Sequence, residues 1–161
     1  MSKTTLINKL QPVSSFIKTL DLTDTKPSQK ALAERFPLHS LTEIRTLCMA
    51  GLEEGWLCTR EAPNLKYGRV QKSTPGNPIG IDSVYMPAQT EPCKGPGHEH
   101  PTGEVDLCFS TSGNPRFDGN PEGWTVYPPK SWHIPTVKDG AMIILYFLPD
   151  GAIRFGPPSK I

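Results

Sequence analysis

Gly95-Pro96-Gly97-His98-Glu99-His100-Pro101-Thr102-Gly103-Glu104 is the stretch on which the reading of this chain turns. Side chains in an extended strand repeat with period two, so His98 and His100 point the same way and Glu99 points away. A turn at Pro101-Thr102-Gly103 returns Glu104 to the same point. Imidazoles with a carboxylate suit one divalent transition metal, whether iron, manganese, zinc, cobalt or nickel. Downstream, Trp132-His133-Ile134-Pro135 offers His133 as a fourth ligand from another strand.

The pattern His98, His100, Glu104 and a later histidine after a Pro-containing stretch resembles the two motifs of the cupin superfamily. The first motif fits at its ligands, with its closing glycine at Gly113. The second departs from the pattern, with Lys130 in place of the usual glycine and Val137 in place of the usual asparagine. The resemblance implies a mainly β chain: a cupin-type double-stranded β-barrel, or jelly roll, with an N-terminal helical segment.

A chain of 161 residues suits one compact domain with an appendage. Formal net charge is +1 with no basic stripe, which argues against nucleic acid as a partner. No apolar run has the length of a membrane span, and Met1-Ser2-Lys3-Thr4-Thr5 leads into no signal-peptide core, so no membrane partner and a cytoplasmic location are expected. Cys48, Cys58, Cys93 and Cys108 form no CxxC and are expected as reduced thiols. Eighteen prolines and fourteen glycines fit an all-β region with many turns.

Residues 1–55 read as helical, packing on the barrel or on a partner subunit, and residues 56–161 as the barrel. Leu6, Ile7, Leu10, Val13, Phe16, Ile17 and Leu20 form a helical stripe. Pro12 predicts a break within it. Pro27 fits the first turn of a helix reaching about Phe36. Ser40-Leu41-Thr42-Glu43 has the form of a capping box, opening a helix that ends near Gly55. Strands are predicted at 56–60, 66–72, 81–88, 91–98, 103–110, 124–128, 132–137, 141–148 and 152–155. Met142 to Leu148 is apolar on both faces and belongs between the barrel interior and the helices. Pro149-Asp150-Gly151 predicts a hairpin, and Asn114 to Gly123 a loop.

Alternation puts Asp106 and Cys108 on the face of Glu104. Asp106 then serves as a general acid or base, or as the partner that orients a ligand histidine. Cys108 reads as a small core residue. Arg69 suits a bidentate grip on a substrate carboxylate or a surface strand edge. Tyr85, Met86, Tyr127 and Trp132 are candidates for an aromatic wall around a small aromatic substrate. Lys130 and His39 read as surface residues.

A longer set of residues carries a closer resemblance. It comprises Tyr67-Gly68-Arg69-Val70, Gly95 to Cys108, Ser131 to Val137 and Ile143 to Ile153. Together with the helical N-terminus these resemble the 4-hydroxylaminobenzoate lyase family of nitroaromatic-degrading bacteria. That resemblance implies conversion of 4-hydroxylaminobenzoate and water to 3,4-dihydroxybenzoate and ammonia, without oxygen or a nucleotide cofactor. The chain has no GxGxxG and no GxxxxGK[ST]. It also implies a metal held by His98, His100, Glu104 and His133, catalytic roles for Glu104, His133 and Asp106, and a homodimer or larger homo-oligomer. The competing readings are a cupin dioxygenase, a ligand-binding or sensor cupin, and a sugar-isomerase cupin.

Overall fold

The computed structural model describes residues 2–159. Met1, Lys160 and Ile161, which fall in the two expected segments, lie outside the described residues. Three helices come first: α1 (Lys3–Ile17), α2 (Thr25–Arg35) and, after a 3-10 turn at Leu38–Leu41, α3 (Thr42–Glu54). Ten strands follow: β1 (Arg60–Glu61), β2 (Lys66–Gln71), β3 (Ile79–Met86), β4 (Cys93–Lys94), β5 (His98–His100), β6 (Glu104–Phe117), β7 (Gly123–Tyr127), β8 (Ser131–His133), β9 (Thr136–Pro149) and β10 (Arg154–Phe155).

The break expected at Pro12 is absent, and α1 runs through it. The carbonyl that Pro12 leaves without an amide is that of Asn8, an exposed residue, so water can satisfy it. Burial of Leu6, Leu10, Val13 and Ile17 along one face outweighs the lost bond. The capping box does not form either: α3 starts on Leu41 with no side-chain cap, and Ser40 Oγ donates to the Pro37 carbonyl instead. At the other end Gly55 adopts φ +87°, and the amides of Gly55, Trp56 and Leu57 all donate to the Gly51 carbonyl. That helix stop consumes the start of the strand expected at 56–60, leaving only Arg60–Glu61.

The strands form two antiparallel sheets. The larger runs β1-β2-β3-β9-β6-β7, with β4 also paired to β9, and the smaller runs β10-β5-β8. β9 decides the layering. Ile143, Leu145 and Phe147 join the core cluster that holds Leu6, Leu10, Val13 and Leu32 of the helices. Met142, Ile144, Tyr146 and Leu148 face the opposite way, into a second cluster with Cys108 and Phe117. Each fully buried aliphatic or aromatic side chain of this kind stabilises by on the order of 1.5–3 kcal/mol. The helices therefore cover one face of the large sheet, and its other face lines an interior that the small sheet closes. This is the cupin-type barrel with an N-terminal helical layer.

Three further expectations change at specific residues. Asn114 to Phe117 is strand rather than loop, because Pro115 sits at a register shift between Gly113 and Arg116 where no ladder donor is needed. The stretch 132–137 is split: His133 ends β8 in the small sheet, and Thr136 begins β9 in the large one. After the turn at Pro149-Asp150-Gly151, with φ +59° and +64° at Asp150 and Gly151, β10 does not fold back on β9 but pairs with β5.

Candidate metal centre

β5 places His98 and His100 inward, both buried, while Glu99 turns out to meet Arg154 at 3.4 Å. Gly103 makes the return to β6. Its amide donates to the His100 carbonyl at 3.2 Å, and its φ is +91°. A Cβ there would lie 2.9 Å from Leu22 Cδ1 and 3.1 Å from the Tyr127 carbonyl, so the turn needs glycine on both counts. β6 then opens on Glu104, fully buried. β8 pairs with β5 so that His133 lies opposite His98. Ligand-type atoms of His98, His100, Glu104 and His133 all lie within 4.8 Å of one another.

The hydrogen bonds fix which nitrogen each ring presents. His98 Nδ1 faces the Pro96 carbonyl at 3.1 Å, so it must donate. Ser131 Oγ gives its proton to the Pro128 carbonyl at 2.6 Å and therefore accepts from His100 Nδ1 at 2.8 Å. His133 Nδ1 donates to Asp118 Oδ2 at 2.6 Å. All three rings thus carry a proton on Nδ1 and turn Nε2 inward, where a neutral ring presents a lone pair. His133 Nε2 and His98 Nε2 are 3.1 Å apart, and Glu104 oxygens lie 3.2 Å from His100 Nε2, 3.5 Å from His98 Nε2 and 3.8 Å from His133 Nε2. Both Glu104 oxygens and His100 Nε2 are buried without a hydrogen-bond partner. Three inward ring nitrogens and a buried carboxylate gathered on one point are well suited to a cation among them. The donor set therefore fits a divalent transition metal, each histidine being oriented through its other nitrogen.

Asp118 is the residue that sequence reasoning missed. Besides His133 it accepts the Thr136 amide at 2.9 Å and the Tyr127 hydroxyl. It lies in a Gly/Asn-rich turn at φ +50°, a conformation that Asp and Asn tolerate, and no periodicity points it inward. Tyr127 stands behind the ligands, with ring centroids 5.1 Å from His100 and 4.4 Å from His133. Asp106 is fully buried on the Glu104 face, where burial, and then the neighbouring Glu104 carboxylate, push its carboxyl well above the usual range. Cys108 is buried in the apolar cluster.

A cleft of about 860 Å³ runs from Arg69 and Asp82 past Tyr146 to His98 and Phe155. Arg69 Nε donates to Asp82 Oδ1 at 3.1 Å at its mouth. Tyr85 and Trp132 do not join an aromatic wall there. Tyr85 packs against the helical core, because strand alternation gives the inner face to its neighbours Val84 and Met86. Trp132 lies opposite Glu99 on the outer face of the small sheet, over Gly97, with Nε1 donating to the Gly156 carbonyl at 2.8 Å. Tyr127 is not among the cleft-lining residues, its hydroxyl being committed to Asp118.

Fold and site together define a cupin-type barrel with a three-histidine, one-glutamate cluster that could hold a metal ion. The chain belongs to the PnbB 4-hydroxylaminobenzoate lyase family, whose model matches residues 9–155. It is 33% identical over 127 residues to a 4-hydroxylaminobenzoate lyase of Nocardioides sp. (strain LMS-CY), covering 73% of this chain and 74% of that one. It is 30% identical over 154 residues to a 4-hydroxylaminobenzoate lyase of Pseudomonas putida, covering 86% and 88%. Among solved structures, ectoine synthase from P. lautus overlaps loosely, with a TM-score of 0.30 and 10% identity over 63% of this chain and 82% of that one.

Proposed function

We propose that this enzyme converts 4-hydroxylaminobenzoate and water to 3,4-dihydroxybenzoate and ammonia, with one divalent transition metal held by His98, His100, Glu104 and His133. The observation that carries the metal reading is the convergence of three inward-facing Nε2 atoms and a buried carboxylate on one point. Family membership and a cleft that joins this point to an arginine support the reaction. A bound metal supplies Lewis acidity for breaking the N–O bond.

The chain's own groups do the rest. Arg69, with Nε fixed on Asp82, turns its terminal nitrogens to the substrate carboxylate and sets the ring's direction. Asp106, its carboxyl pushed up by burial, serves as the acid that gives a proton to the departing hydroxylamino oxygen, which leaves as water with the N–O electron pair. The Asp106 carboxylate then takes a proton from the water that adds to the ring carbon beside the nitrogen-bearing one. A second water hydrolyses the imine and frees ammonia. Two waters enter and one leaves, so one is consumed. The four buried free cysteines accord with a reducing, cytoplasmic setting.

The test is an anaerobic assay of metal-loaded protein with 4-hydroxylaminobenzoate, following ammonia and 3,4-dihydroxybenzoate. Equimolar release without oxygen is expected. A strict need for oxygen would replace this reading with a dioxygenase.

A further inference from the structure

A row of polar side chains crosses the inner face of the large sheet. Arg69 of β2 lies opposite Asp82 of β3, Asp82 opposite Tyr146 of β9, Tyr146 opposite Asp106 of β6, and Asp106 opposite Thr125 of β7. Directly opposed residues share a face, so the row is continuous from the cleft mouth to its floor. At the mouth Arg69 and Asp82 satisfy each other. On the floor the side-chain oxygens of Asp106, Thr125 and Tyr146 are all buried, and none has a hydrogen-bond partner among the described residues. Native interiors rarely leave such groups unpaired.

Tyr146 stands apart among the three, because it also lines the cleft beside His98, their ring centroids 6.3 Å apart. Its ring packs among Met142, Ile144, Leu148 and Phe117, which phenylalanine would serve equally well. The hydroxyl is therefore superfluous to packing. It points to a ligand that carries a polar atom next to the metal site.

We propose that the Tyr146 hydroxyl binds the substrate's hydroxylamino oxygen, donating a hydrogen bond to it while Arg69 holds the carboxylate. Tyr146 and Arg69 are two strands apart, about 10 Å between backbones at the usual strand spacing. A para-disubstituted ring with a polar group at each end spans that gap. Tyr146 thereby becomes a catalytic residue that separates 4-hydroxylaminobenzoate from 4-aminobenzoate, which shares ring and carboxylate but has no N–O oxygen. The assignment rests on the lyase reading above.

Tyr146→Phe in the metal-loaded enzyme tests it. The metal content and melting temperature should match wild type, and 4-aminobenzoate should bind both proteins within about twofold. Turnover of 4-hydroxylaminobenzoate should fall about 100-fold, the size typical of deleting one hydrogen-bond donor to a reacting oxygen. Undiminished turnover would overturn the assignment alone, as would an equal loss of 4-aminobenzoate binding. A variant that lost metal or melted early would make the hydroxyl structural and overturn it too. If wild type released no ammonia from 4-hydroxylaminobenzoate, the lyase reading would fail and carry this assignment with it.

Discussion

Replacing Asp118 by asparagine should weaken metal binding without touching any ligand. Asp118 Oδ2 receives both His133 Nδ1, at 2.6 Å, and the Tyr127 hydroxyl, while Oδ1 receives the Thr136 amide at 2.9 Å. Asparagine keeps one acceptor oxygen and introduces an NH2 group. If the oxygen stays on Thr136, the NH2 confronts two donors, and the cheapest relief is for His133 to move its proton to Nε2. That proton then sits where the metal must bind. Loss of a hydrogen-bonding partner to a ligand histidine typically lowers metal affinity about 10–100-fold, which is about 1.4–2.7 kcal/mol. Asparagine also tolerates the φ of +50° at this position, so the backbone should not confuse the result. Competition against a chelator of known affinity measures the change. Affinity within twofold of wild type would refute the tautomer argument on which the metal centre rests.

Protons should compete with the metal at the three imidazoles, so affinity should fall as pH drops; a flat affinity from pH 8 to 5 in the same competition assay would contradict histidine ligation. Gly103→Ala should cost about 1–3 kcal/mol through left-handed strain and the contact with Leu22, read as a shift in denaturant midpoint, and an unshifted midpoint would show that the turn can relax. Burial pushes Cys58 up to about 11 and Cys108 well above its ordinary value, and Cys48 and Cys93 are raised as well. All four thiols should therefore react slowly with a disulfide reagent at pH 8 in the native protein and rapidly once unfolded; fast native labelling would mean the core opens readily.

The ligand set was legible because strand periodicity and a glycine turn are local rules, and His98, His100 and Glu104 obey both. The two-faced burial of β9 was legible for the same reason: Met142 to Leu148 has no polar interruption other than a tyrosine hydroxyl. What escaped the sequence depends on long-range pairing. Asp118 reaches His133 only because β8 and β9 belong to different sheets, and the partner of β10 is chosen by β5, over fifty residues earlier in the chain. The wall of the cleft was misread at Tyr85 and Trp132 because an aromatic's type does not say which face of its strand it occupies. Pro12 and Ser40 show propensity overruled, in one case by a buried stripe and in the other by a 3-10 turn that takes up the serine.

The division of the ligands between the sheets has a mechanical consequence. Three of them hang from the small sheet, and Glu104, at the first residue of β6, belongs to the large one. A cation gripped by both would fasten a short three-stranded flap to the larger sheet behind it. Removing that cation would free the flap first, so metal-free protein should surrender its amide protons at β5 and β8 well before β6 and β9 loosen.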